Sequence, residues 1–269
     1  MPTISLIITT YNWPLALDRV LASVLDQEVP CQQVVIADDG STDDTKVCIE
    51  QWRSDFEAKG VELTHVWQPD EGFRASAIRN KAAAAATGEY LVYIDGDCVI
   101  RPRFIAQHKR LAKQGWFVAG NRVLLSKAYS HEVITHGLAP HKLSVKECYK
   151  VEINRPRSLK ELPLGPLRYA NAKRWKGVKT CNLGVWKQDL ERVNGFDESF
   201  VGWGYEDSEF AIRLLRAGVK CASGKFATTV MHLWHNEHDR SGHDENYARL
   251  MESMHSDHIR AHQGLDQYL

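Results

Sequence analysis

Over roughly the first 120 residues, short runs rich in β-branched residues alternate with segments whose apolar positions recur at helical spacing. Ile4–Thr9 reads as a strand, and Leu15–Asp26 as a helix with Leu17, Val20, Leu21, Val24 and Leu25 on one face. Val34–Ala37, Val61–Trp67, Tyr90–Ile94 and Trp116–Ala119 read as further strands, with helices over Asp43–Ala58, Ala75–Ala86 and after Pro102. This alternation predicts an α/β, Rossmann-like fold: a mostly parallel central sheet flanked by helices through right-handed crossovers. Ligands of such sheets sit beyond the carboxyl ends of the strands, near the point where strand order reverses. From Ser126 to Lys179 the periodicity dissolves, and Pro156, Pro163, Gly165 and Pro166 predict loops. Order returns after Cys181, with helices near Lys187–Val193 and Tyr205–Ala217, a strand at Ala227–Met231 and a helical tail after His243. Neither an internal repeat nor a linker interrupts the chain, so one domain over 1–269 is expected.

Composition narrows the classes. Of 269 residues, 43% are hydrophobic and 25% charged, which excludes disordered and low-complexity chains. Thirty-four Lys and Arg balance thirty-four Asp and Glu, so the global positive field of a nucleic-acid binder is missing and no nucleic-acid partner is expected. The balance is uneven: residues 142–179 carry eleven basic side chains against three acidic ones. Such a segment suits a peripheral contact with an anionic membrane or a phosphorylated glycan, and equally a solvated loop. No apolar run nears the ~18 residues of a membrane span, and Ile4–Ile8 is too short for a signal-peptide core. The six cysteines include no Cys-x-x-Cys pair and suit reduced thiols. The expectation is a soluble, cytoplasmic protein, with peripheral attachment to the inner membrane face as an option.

Candidate chemistry gathers at the strand ends. Thr9-Thr10-Tyr11-Asn12 closes the first strand and Asp38-Asp39-Gly40-Ser41-Thr42 the second. A carboxylate there can accept from a base N–H or a ribose hydroxyl, although the same residues also suit helix capping. Neither a G-x-G-x-x-G nor a P-loop sequence occurs, so a bound nucleotide would need another counter-charge for its phosphates. Asp95-Gly96-Asp97 follows the fourth strand and could share a hard divalent ion with phosphates, or form a plain turn. Arg74 and Arg79 could pair with phosphates through their planar forks, or lie solvated. In Gly202-Trp203-Gly204-Tyr205-Glu206-Asp207, Asp207 shares the stripe of Ala211 and Leu214, and the helix dipole favours its anion. Trp203 offers a flat face for stacking on a sugar. His232 and His235 close a strand three residues apart, so both could hold one ion only if the chain bends; imidazole beside carboxylate favours Mn²⁺ over Mg²⁺. His255, His258 and His262 read as a solvated face of the tail helix.

Taken in order, Thr9–Asn12, Val34–Asp43, Arg79-Asn80 and Tyr90–Asp97 resemble the family 2 nucleotide-sugar glycosyltransferases of the GT-A fold. Asn182–Gly184, Gly195–Glu198 and Gly202–Asp207 resemble the acceptor-side half shared by β-1,4-galactosyltransferases and bacterial chondroitin-type polymerases. The resemblance implies a nucleotide-sugar-binding half over 1–125, a basic loop insertion over 126–179, an acceptor and catalytic half over 180–240 and a helical tail over 241–269. It implies that Asp38 or Asp39 contacts uracil and Asp95 the ribose or metal, with Thr9, Tyr11, Arg74 and Arg79 completing the donor site. Asp97 would be the principal ligand of a Mn²⁺ or Mg²⁺ ion and Asp207, beside Glu206, the catalytic base. Trp203 and Gly204 would meet the acceptor. Those galactosyltransferases place a methionine and a histidine three apart as ligands; here the positions read His232 and His235, so His232 departs from the pattern. The implied activity is inverting, metal-dependent transfer of a hexose or N-acetylhexosamine from a UDP-sugar to a hydroxyl of a surface glycan or glycolipid, giving a β-linkage. A sugar-nucleotide nucleotidyltransferase and a non-catalytic carbohydrate-binding protein are the alternatives.

Overall fold

The computed structural model describes residues 1–236 and 242–269; the expected boundary between the acceptor half and the tail lies outside the described residues. In chain order the strands are β1 Ile4–Thr10, β2 Gln33–Asp38, β3 Glu62–Trp67, β4 Tyr90–Asp95, β5 Cys98–Ile100, β6 Trp116–Ala119, β7 Arg122–Leu124, β8 Asn182–Trp186, β9 Lys220–Ser223 and β10 Val230–His232. The helices are α1 Pro14–Leu25, α2 Asp43–Ala58, α3 Ala75–Ala85, α4 Phe104–Leu111, α5 Lys127–Thr135, α6 Lys187–Arg192, α7 Glu206–Arg216 and α8 His243–His255. Seven strands form the main sheet in the order β3-β2-β1-β4-β8-β6-β9, and β5-β10-β7 make a smaller one.

The sheet is parallel from β3 to β4, and β8 runs antiparallel to both its neighbours. Strand order reverses between β1 and β4, whose register sets Thr9 opposite Asp95, while Thr10 lies opposite Asp38. The antiparallel strand starts at this same edge, with Asn182 opposite Ile94. The carboxyl ends of β1, β2 and β4 and the segment entering β8 therefore share one rim.

The period of two decides the layers. Ile4, Leu6 and Ile8 face the cluster that holds Leu17, Val20, Leu21, Ile49 and Phe56 of α1 and α2. Ile7 faces the other side, with Ile78 and Ala82 of α3 and Phe210 and Leu214 of α7. Both faces are covered, as a parallel sheet requires. Among the described residues no helix is long and apolar enough to cross a membrane. The six cysteines are free thiols, all buried.

The structure departs from the expected pattern in the four short strands β5, β7, β8 and β9, which the periodicity does not predict, and in three further places. The stretch expected to be loop over 126–179 opens with α5, which Ser126 caps by accepting from the Tyr129 N–H at 3.1 Å. Cys148, Ile153 and Leu159 from that stretch enter the main core, so it is packed as part of the molecule. The tail helix stops at His255, and the chain beyond it is irregular up to a short turn at Leu265–Tyr268. His258 and His262 thus lie off the helix, and His258 Nε2 sits 3.6 Å from buried Glu209. The strand expected at 227–231 begins only at Val230, because Ala227 and Thr228 first turn back onto Gly224.

Candidate active site

A cavity of about 590 Å³ opens over the rim where strand order reverses. Thr9 and Tyr11 at the end of β1, Asp39 past β2, and Asp95 and Asp97 around the end of β4 line it from one side. Asp39 accepts from the Arg74 backbone N–H at 2.9 Å and from Gln68 Nε2 at 2.5 Å, and burial pushes its carboxyl upward. Tyr11 donates to Asp70 at 2.9 Å, a bond that raises the phenol above its ordinary range. The Gly96 N–H donates to the Thr9 carbonyl at 2.7 Å, and a Cβ here would lie 2.9 Å from Thr10 Oγ1, so the Asp-Gly-Asp turn passes β1 too closely for a side chain.

The opposite wall comes from the start of α7. Tyr205 takes a left-handed backbone (φ 68°) just before the helix, and the chain turns there so that Glu206 and Asp207 face the cavity. Arg79, only 4% exposed, joins the two walls. Its Nη1 lies 3.3 Å from Glu206 and 3.9 Å from Asp207, its Nη2 3.6 Å from Asp95, and its Nε donates to Thr9 Oγ1 at 3.4 Å. Burial, with Asp207 alongside, pushes the Glu206 carboxyl up to about 7, against the pull of Arg79. Burial likewise lifts Asp95 to about 6. Asp207 Oδ1 is buried and accepts no hydrogen bond from the described residues. Trp203 and Gly204 line the mouth, where Trp203 stacks on His243 at 6.4 Å between ring centroids.

Beside Asp97, β10 ends at His232 and the chain bends. The Leu233 N–H donates to the Asp97 carbonyl at 2.9 Å and the Trp234 N–H to Ser130 Oγ at 2.8 Å. The bend lets both imidazoles reach one carboxylate: His232 Nε2 is 3.4 Å and His235 Nε2 3.3 Å from Asp97 Oδ2. The three ligand atoms lie within 4.8 Å of one another. Burial pushes His232 down toward the neutral ring, the form that ligates. A carboxylate with two imidazoles suits a divalent first-row cation.

The sequence profile described as glycosyl transferase family 2 matches residues 5–150, more than half of the chain. The chain belongs to glycosyl transferase family 2. A second profile, the N-terminal domain of galactosyltransferase, matches residues 168–239. Validoxylamine A glucosyltransferase of Streptomyces hygroscopicus subsp. jinggangensis is 28% identical over 264 residues, covering 93% of this chain and 59% of that protein. Chondroitin synthase of Escherichia coli is 28% identical over 235 residues, 80% of this chain and 32% of the relative. The chain thus spans less than two thirds of the length of these curated relatives. Among solved structures, S. aureus TarS 1-349 in complex with UDP superposes with a TM-score of 0.64 at 15% identity, covering 99% of this chain and 68% of that one. The Pyrobaculum calidifontis mannosyltransferase in complex with GDP-Man and Mn²⁺ gives 0.59 at 20% identity, with 93% and 62% covered. The shared architecture is the GT-A fold.

In this family 2 domain, Thr9, Tyr11, Asp39, Arg79, Asp95, Asp97, Trp203, Gly204, Glu206, Asp207, His232 and His235 all line the one cavity. Asp38 and Arg74 do not. Asp38 is 1% exposed and accepts from the Ser41 N–H and His65 Nε2, both at 2.9 Å, so it braces the β2–α2 turn. Arg74 turns away to Glu71 at 2.6 Å and the Pro69 carbonyl at 3.1 Å. Sequence reasoning missed Arg122, Cys181 and His243, which also line the cavity. Arg122 opens a three-residue strand and Cys181 precedes an unexpected one, so neither had a periodic signal to mark it as a rim residue.

Proposed function

We propose that this domain is an inverting glycosyltransferase that moves a hexose or N-acetylhexosamine from a UDP-sugar to a hydroxyl of a surface glycan or glycolipid, forming a β-linkage. The observation that carries the reading is the buried Oδ1 of Asp207, which lines the cavity with Asp95 and Asp97, lies 3.9 Å from Arg79 Nη1 and accepts no hydrogen bond from the described residues. A carboxylate oxygen with no hydrogen-bond donor among the described residues can accept a proton from an incoming alcohol. Arg79 Nη1, 3.9 Å away, and the first turn of α7 place positive charge beside Asp207. The acceptor oxygen then bonds to the anomeric carbon as the bond to the diphosphate breaks on the opposite face, and an α-linked donor gives a β-linked product. Asp39 and Tyr11 stand where a base and ribose would meet the rim, and Trp203 offers its face to the acceptor sugar. Asp97, His235 and His232 are the residues that would hold a divalent ion, for which Mn²⁺ suits the nitrogen donors. Such an ion supplies Lewis-acid neutralisation of the diphosphate's charge. A glucosyltransferase and chondroitin synthases among the relatives support a sugar-nucleotide donor and a glycan acceptor.

Asp207→Asn tests the assignment. Transfer should fall about 10²–10⁴-fold, the contribution of a positioned general base, while UDP binding stays unchanged. Near-wild-type transfer by this variant would refute it. Thermal stabilisation across UDP- and GDP-sugars with Mn²⁺, which requires no acceptor, identifies the donor. We further propose that the basic stretch over 142–179 seats the domain on an anionic membrane at the cytoplasmic face.

A further inference from the structure

Beside the Asp97 group, the rim holds a second cluster of ligating atoms, two of them thiols for which the proposed reaction has no use. Cys98 opens β5 directly after Asp97, and Cys181 immediately precedes β8. Because Ile94 lies opposite Asn182, the turn leaving β4 and the segment entering β8 meet. That register brings a carboxylate oxygen of Asp95 and the Sγ atoms of Cys98 and Cys181 within 4.8 Å of one another. Cys98 is fully buried and Cys181 is 4% exposed, yet Cys181 and Asp95 both line the cavity. Arg122 Nη1 stands 3.9 Å from Cys181 Sγ.

The chemistry of this cluster differs from that of its neighbour. Thiolate sulfur selects soft and borderline ions such as Zn²⁺ and Cd²⁺, whereas the Asp97 group offers only oxygen and nitrogen. Two cysteine sulfurs and a carboxylate are a ligand set that zinc-type ions accept, and the cavity beside Asp95 and Cys181 would admit a solvent molecule as a further ligand. Two thiolates and a carboxylate outweigh the charge of a divalent ion, and the guanidinium of Arg122 sits where it would offset the excess. We propose that Asp95, Cys98 and Cys181 form a second cation site, for a soft or borderline divalent ion of the Zn²⁺ or Cd²⁺ type. Ligation releases the two thiol protons to solvent. It also engages Asp95, so an ion here competes with the nucleotide; this consequence rests on the donor-side role of Asp95 given above.

Cd²⁺ titration of the reduced protein, with Mg²⁺ in excess to occupy the harder site, tests the proposal. One equivalent should produce the ultraviolet thiolate-to-cadmium charge-transfer band. Cys98→Ser and Cys181→Ser should each abolish it, and the double variant His232→Ala, His235→Ala should retain it. No band in the wild-type protein, or a band surviving in both serine variants, would overturn the site. Should the serine variants fail to fold, X-ray absorption on the Cd²⁺-loaded wild-type protein decides: two sulfur neighbours support the site, and only oxygen and nitrogen neighbours overturn it. Displacement of a fluorescent UDP analogue reads the competition separately. A band formed without displacement leaves the ion site standing and refutes the donor-side role of Asp95.

Discussion

The buried guanidinium of Arg79 has three carboxylates within 3.9 Å: Asp95, Glu206 and Asp207. One cation cannot fully compensate three anions, and burial makes Glu206 the acid that keeps its proton most readily, at about 7. The sign of the resulting pH dependence follows. Because the folded value is about 7 against 4.5 for the free side chain, the folded state binds more protons than the unfolded chain between them. The contribution of Glu206 to stability therefore falls as pH rises through that window. Glu206→Gln removes the titration, so urea midpoints of wild type and variant should diverge from about pH 4.5 to about pH 8. Each tenfold change in proton affinity is worth about 1.4 kcal/mol, so the wild-type protein should lose on the order of 3 kcal/mol relative to the variant. Parallel pH curves would show that Glu206 titrates normally. At this scale the sequence marks which residue types matter and leaves their aim open. Asp38 and Asp39 are adjacent carboxylates at one strand end, and successive side chains leave opposite faces. One is therefore locked under Ser41 while the other faces the cavity, and composition alone does not distinguish them.

The turn between α6 and α7 decides whether Glu206 and Asp207 reach the cavity at all. Asn80 of α3 clasps it: its Nδ2 donates to the Phe196 carbonyl at 2.8 Å and to Glu198 at 2.9 Å, and its Oδ1 accepts from the Phe196 N–H at 2.8 Å. From below, Arg213 of α7 donates to the carbonyls of Val193 at 2.6 Å and Gly195 at 2.9 Å. Gly195 itself has φ 66°, and an added Cβ would sit 2.2 Å from Asn80 Oδ1. Gly195→Ala therefore combines about 1 kcal/mol of left-handed strain with loss of a buried clasp, about 1–3 kcal/mol more. Gly218→Ala, with φ 84° and nothing within 4 Å of the Cβ, carries the strain alone. Chemical denaturation should separate the two by at least about 1 kcal/mol, with transfer impaired only in the first. Equal losses would mean that the clasp contributes nothing. The long amphipathic elements α1, α2 and α7 and the apolar strands β1, β2 and β4 were legible from periodicity. The three- to five-residue strands β5, β7, β8 and β9 were not, because so few positions cannot establish a period and their pairing is decided by partners far along the chain. The convergence of His232 and His235 was illegible for the same reason, since it depends on where β10 stops.

Across the whole molecule, the two regions separated by the resemblance share one sheet and one core: β8 pairs with β4, and Leu183 and Phe210 pack with Ile7 and Val35. What sets residues 142–179 apart is their outer surface. Two of the cations are tied down, Lys142 to Asp26 at 2.7 Å and Arg168 to the Lys225 carbonyl at 3.1 Å. Lys146, Lys150, Arg155, Arg157, Lys160, Lys173, Lys176 and Lys179 remain exposed. Among them Tyr149 is 52%, Leu162 46% and Leu167 74% exposed, apolar groups able to enter a headgroup region once the charges hold the surface near it. Each basic residue near an anionic leaflet is worth about 1 kcal/mol, within a screening length of about 8 Å at physiological salt. The domain should therefore sediment with phosphatidylglycerol vesicles at low salt, ignore phosphatidylcholine ones, and detach as salt approaches about 1 M, where screening shortens to about 3 Å. Replacing Lys173 and Lys176 together by glutamine should weaken that partitioning by about 2 kcal/mol, roughly 30-fold. Neither side chain lines the cavity, so UDP binding should stay unchanged in the double variant. Partitioning that survives high salt, or equal affinity for neutral and anionic vesicles, would mean that the exposed cations do not hold the domain to a charged surface.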